Sequence, residues 1–145
     1  MLKNIIVLGF SCIALIYTPL VTAKDAKRYD DSVMWKNVVK INFKIGKRSD
    51  ALKIINEHFR PATKKAKTSP PELLLEMSTG DYDLLVVWHM EGGINDMTWD
   101  VSPDNITWRK ALNELSGGKD KAQKVIDEYR SYIESAENDI AMVNP

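Results

Sequence analysis

The sequence predicts an α+β domain built as a ferredoxin-like antiparallel sheet with helices on one face. Three observations lead there. Val39, Ile41, Phe43 and Ile45 alternate with Lys40, Asn42 and Lys44, which is the period of a strand with one buried face. Residues 84–90 are apolar at both parities, which marks a strand that is covered on both faces or central in its sheet. Between and after these segments, apolar residues recur at three- and four-residue spacing, the stripe of a helix lying on a core.

Each element has a local reason. Gly46 ends the first strand, over residues 38–45. Ser49 is placed to cap the next element, with Asp50 in its first turn, where a carboxylate suits the positive end of the helix dipole. Leu52, Ile55 and Phe59 then share one helical face, and Pro61 is expected to kink or stop that helix. Thr68-Ser69-Pro70-Pro71 breaks the chain. Leu73, Leu75 and Met77 alternate with Leu74, Glu76 and Ser78 as a second strand. Thr79-Gly80-Asp81 turns the chain into the third strand, which Gly92-Gly93 closes. Ser102-Pro103-Asp104 supplies a capping hydroxyl, a proline at the first helical position and an acid. Trp108, Ala111, Leu112 and Leu115 form the stripe of that helix, and Gly117-Gly118 ends it. The longest helix carries Ala122, Val125, Ile126, Tyr129, Ile133 and Ala136, and residues 140–143 are expected to form a short last edge strand.

The order is strand, helix, strand, strand, helices, strand, which is the ferredoxin-like order. Gly80-Asp81-Tyr82-Asp83 entering Leu84-Leu85-Val86-Val87 resembles the hairpin of dimeric α+β barrel proteins, among them the antibiotic-biosynthesis-monooxygenase-like domains. The resemblance covers residues 38–143 and is one of fold, not of activity. It implies a homodimer in which two sheets face each other. Lys40, Asn42 and Lys44 share one face of the first strand; if that face points into a closed barrel, the two lysines need carboxylate partners such as Glu72 or Glu76, and otherwise the barrel is open or wet there. Some haem-degrading members of the group use an asparagine, a tryptophan and a histidine. Asn42 and Trp88 offer the first two, but no histidine follows Glu91, so haem chemistry is not implied.

The ends and the composition bound the function class. Lys3 is the only charge before Lys24, residues 5–21 are apolar, and Val21-Thr22-Ala23 offers small residues for a signal peptidase. The expectation is a signal peptide over residues 1–23, an N-terminal extension over 24–35 and one α+β domain over 36–145, exported to the periplasm or secreted. The same run read as an uncleaved anchor is disfavoured by Pro19 and the small residues after it. Cleavage removes Cys12, the only cysteine, so the exported domain holds together by its core alone. Twenty basic residues balance 20 acidic ones. No basic field for nucleic acid is present, and no stable membrane insertion is expected after cleavage. Lys64, Lys65 and Lys67 are read as a solvated helix end.

Candidate chemistry clusters at two places. Trp88, His89 and Glu91 end the third strand, where an imidazole, a carboxylate and an indole could wall a pocket. Strand parity puts His89 and Glu91 on one face and Trp88 on the other. Trp99 and Trp108 flank a second polar stretch and could hold a flat ligand, although the plainer reading is an aromatic plug at the sheet end. His58 beside Glu57 reads as a helix-surface histidine. No His-x-x-x-His or cysteine spacing is present, so neither a metal nor a cofactor is expected. Asn105-Ile106-Thr107 fits a glycosylation sequon inside a predicted helix. The favoured reading is a non-catalytic small-molecule-binding or interaction domain around Trp88, His89, Glu91, Trp99 and Trp108. The alternatives are a cofactor-independent monooxygenase-like enzyme with His89 as base, and a purely structural dimerisation module.

Overall fold

The computed structural model describes Tyr29 and residues 32–143. The chain runs β1 (Trp35–Phe43), α1 (Arg48–Ile54), a π-helical segment (Ile55–Phe59), α2 (Arg60–Ala66), β2 (Leu73–Glu76), β3 (Leu84–His89), a 3₁₀ segment (Gly93–Thr98), α3 (Pro103–Ser116), α4 (Lys119–Tyr132) and β4 (Ile133–Met142). The strands form one antiparallel sheet in the order β2-β3-β1-β4. This is the ferredoxin-like α+β fold. The expected signal peptide lies outside the described residues. Among the described residues, no helix is long and apolar enough to cross a membrane.

Alternation on the two central strands decides which face is covered. Ile41 and Phe43 of β1 and Leu84 and Val86 of β3 bury against Ala51 and Ile55 of the first helical stretch. A second cluster of Ala62, Leu112, Ala122 and Ile126 binds α2, α3 and α4 together. Phe59 packs against both clusters. Leu84 and Leu112 are fully buried, each worth about 2–3 kcal/mol of apolar transfer. The opposite face of β1, β2 and β3 presents Val38, Leu73, Leu75, Leu85 and Val87.

Several turns and caps match their sequence signals. Ser102 Oγ accepts from the Asn105 N–H at 3.2 Å, and Pro103 opens α3. Gly117 ends α3 in the left-handed region at φ 76°, where a side chain would be strained. In the hairpin before β3, Asp83 Oδ2 accepts the Phe43 N–H at 2.8 Å.

Other expectations are corrected. The first strand ends at Phe43, so Ile45 lies in the following turn and is 99 % exposed. Lys47 rather than Ser49 occupies the cap of α1, and no side chain caps that end. Pro61 neither stops nor ends the helix. Its ring lacks an N–H and would clash with the carbonyl four residues back. The wider π turn over Ile55–Phe59 precedes it, and Pro61 falls in the first turn of α2, where a missing donor costs little. Leu115 is 49 % exposed instead of completing the α3 stripe.

The largest correction concerns the C-terminal segment. The last helix ends at Tyr132, and Ile133 and Ala136 belong to a ten-residue strand, β4, in place of the short one expected at 140–143. Backbone pairing along the whole of β1 outweighs the helical periodicity of these two residues. Lys40 supports that pairing. Its Nζ lies 3.0 Å from Glu137 and 2.8 Å from Asp139, two residues on one face of β4. Hydrogen bonds to Asp139 and then Glu137 hold the ammonium pKa above its ordinary value. These are not the partners expected from the sequence: Glu72 pairs with Lys36, and Glu76 lies 3.7 Å from Arg48.

Candidate functional site

A cavity of about 680 Å³ lies between the helix-covered face of the sheet and the chain from Ile55 to Pro71. Its volume is in the range of small-molecule sites. Ile41, Ile55, Leu84 and Val86 lie deepest and are buried. Val39, Leu74, Phe59 and Tyr129 continue the apolar wall, and Pro70 and Pro71 close one side. The outward part of the lining is Arg60, Lys64, Lys67 and Trp88, all exposed.

The elements explain this arrangement. Alternate residues of β1 and β3 point to the helices, and so do Leu84, Val86 and Trp88. Across from them, Phe59 is locked edge-to-face with both Trp108 and Tyr129, at centroid distances of 5.5 and 5.0 Å. Thr63 donates to the Phe59 carbonyl at 3.0 Å and accepts from Trp108 Nε1 at 3.1 Å, so α3 holds the α2 wall in place. Burial alone pushes the Tyr129 phenol up to about 12, and the phenol O–H can donate a hydrogen bond.

Arg60, Thr63, Lys64 and Lys67 recur at helical spacing and line the cavity together. The basic run of residues 64–67 is thereby split. Lys65 turns to α3 and pairs with Glu114 at 3.0 Å; the hydrogen bond from Lys65 holds that carboxyl below the ordinary range. Lys64 and Lys67 stay on the cavity side, with Lys67 in the left-handed region at φ 56°. No ion pair engages Arg60, Lys64 or Lys67 among the described residues. Among the described residues, no carboxylate, imidazole or thiol lines the cavity.

The five residues singled out from the sequence are dispersed. Trp88 reaches the cavity rim, and Trp108 stands behind the wall at Thr63. His89 points to the other face of the sheet, its Nδ1 3.1 Å from Lys36 Nζ; Lys36 also bonds Glu72. Glu91 accepts a hydrogen bond from Ser69 Oγ at 2.9 Å. Trp99 is 56 % exposed after the 3₁₀ segment and plugs nothing. Asn42 donates to Ser135 Oγ on the face opposite Trp88, so the two cannot wall one site. Among the described residues no three His, Cys, Asp or Glu side chains gather as a metal site. Arg60 and Thr63 are not among the sequence candidates, and Lys64 and Lys67 stand there only as part of a solvated helix end. Their spacing was the available signal, a polar stripe continuing the helix past Pro61.

No family model and no curated protein matches the chain. Among solved structures, a NIPSNAP family protein of unknown function from Agrobacterium tumefaciens superposes with a TM-score of 0.50 at 16 % identity, over 76 % of this chain and 87 % of that one. An uncharacterized NIPSNAP domain protein from Burkholderia xenovorans gives 0.48 at 14 % identity, over 77 % of this chain and 95 % of its own. The Agrobacterium likeness bears out the fold and nothing finer.

Proposed function

We propose that this protein is an exported, non-catalytic binding protein that holds a small molecule between its sheet and the helical stretch over it. One observation carries the reading: a cavity of about 680 Å³ whose depth is aliphatic and aromatic and whose lining, among the described residues, holds no carboxylate, imidazole or thiol. An enzyme with His89 as base draws no support from the geometry. That imidazole faces away from the cavity and is held near Lys36. Export rests on the N-terminal charge and apolar pattern, and N-terminal sequencing of the mature protein tests it.

We further propose that a second copy covers the open face of the sheet, as in the dimeric α+β barrel group that the sequence resembles. Leu73 and Leu75 are 44 % and 42 % exposed there, beside Leu85, Val87 and Val38. Charges of both signs, Lys36 and Lys40 with Glu72, Glu137 and Asp139, are already paired on that face. Such a face suits its own copy better than a partner of strong opposite charge.

Native mass spectrometry on protein purified gently from its own compartment tests both readings. The expected result is a dimer carrying non-protein mass, which Val86→Trp, by filling the cavity, releases. A bare mass, together with no thermal stabilisation of the protein by any of a set of small apolar compounds, overturns the binding reading. A monomer overturns the paired sheets.

A further inference from the structure

The lining of the cavity is graded. Its depth is Ile41, Leu84 and Val86, buried and without polar atoms on their side chains, while its outward edge carries Arg60, Lys64 and Lys67. Residues three and four apart on a helix stand about 5–6 Å from one another. Arg60 and Lys64 therefore project side by side, and Lys67 follows in a left-handed conformation past the last turn of α2.

Basic residues at a helix end have an ordinary explanation, since they complement the negative end of the helix dipole. Here that explanation is insufficient. The dipole end amounts to about half a negative charge, against three cationic side chains. The lysine that is paired, Lys65, turns away from the cavity to Glu114. Of the four basic residues from Arg60 to Lys67, the three without an ion pair among the described residues are those that line it, and among the described residues no acidic side chain lines it with them.

Resting on the binding function proposed above, we infer that the ligand is an amphipathic anion, with an apolar body lying against Ile41, Leu84 and Val86 and a carboxylate-type head group at Arg60, Lys64 and Lys67. A neutral apolar ligand would leave three cations at the edge without a counter-charge. A cationic one would be repelled by them. An anionic head draws charge-assisted hydrogen bonds from Arg60 and the lysines, and Thr68 also lines the cavity.

Isothermal titration calorimetry with hexanoate, octanoate and decanoate, and with decan-1-ol as the uncharged control, tests the inference. The expected result is saturable binding that tightens about fourfold per added methylene and favours decanoate over decanol. The triple variant Arg60→Gln/Lys64→Gln/Lys67→Gln changes only exposed side chains. It is expected to weaken decanoate binding about tenfold, as three partly solvated charge pairs would, and to leave decanol binding unchanged. Decanoate and decanol binding equally, with the triple variant indifferent, overturns the anionic head and leaves the cavity reading standing. Binding of neither overturns both.

Discussion

Phe59→Leu isolates what the aromatic ladder between the two core clusters contributes. The Phe59 ring meets Trp108 at 5.5 Å and Tyr129 at 5.0 Å, both edge-to-face. Each such pair is worth about 0.5–1.5 kcal/mol beyond the area it buries. Leucine keeps most of the apolar burial and loses both pairs. Phe59 is half-buried, so the lower part of the range applies, and the expected loss is about 1.5 kcal/mol. In a domain of this size that corresponds to a fall in Tm of roughly 6 °C. Urea unfolding followed by circular dichroism measures the loss. A double-mutant cycle with Trp108→Leu should return a coupling of about 0.5–1 kcal/mol. A single-variant loss under about 0.5 kcal/mol with no coupling would refute the idea that this ladder, rather than plain burial, joins the two clusters.

Three further outcomes follow from the same geometry. Lys36 is buried at 8 % exposure against a half-exposed Glu72; Glu72→Ala should cost about 1 kcal/mol, whereas Lys36→Met should be neutral or stabilising, as urea midpoints will show. Burial raises the Tyr129 phenol from 10.0 to about 12, so its contribution to stability is complete below pH 10.0 and is lost as pH rises toward about 12. The alkaline fall in the urea midpoint should therefore be smaller in Tyr129→Phe than in the wild type. Gly80 turns the chain before β3 at φ +99° with open space around it, so Gly80→Ala should cost about 1–2 kcal/mol through backbone strain alone, read as a shift in thermal midpoint without change in fold by circular dichroism.

The fold was legible wherever side-chain periodicity and burial agree. The alternation of Val39, Ile41 and Phe43 and the two-sided apolar run of β3 placed the central strands, and Ser102-Pro103 and Gly117 bounded α3 because cap chemistry is local. Legibility failed where a long-range partner decides the structure. In β4, Glu134, Ser135, Glu137, Asn138 and Asp139 carry no apolar stripe, and the strand forms on backbone pairing and the bonds from Lys40. The signal was the pair of acids two residues apart, which one lysine on a neighbouring strand can meet. At Pro61 the local signal is a break, yet a π turn over Ile55–Phe59 precedes it and the helix continues, with Phe59 packed between the two clusters. The site was half legible for the same reason. Trp88 is among the sequence candidates, and strand parity separates it from His89, as the register of β1 and β3 shows. Lys64, Lys65 and Lys67 read from the sequence as a solvated helix end, because which of them pairs elsewhere depends on Glu114, far along the chain.

The two faces of β2 and β3 offer a direct test of where a ligand goes. Leu74, Leu84 and Val86 point to the cavity, while Leu73, Leu75, Leu85 and Val87 point to the open face. Methyl NMR of the leucine- and valine-labelled protein, titrated with decanoate, resolves the two sets. The account predicts saturable shifts at Leu74, Leu84 and Val86, with the other four unmoved. Shifts confined to Leu73, Leu75, Leu85 and Val87, or none at all, would contradict it.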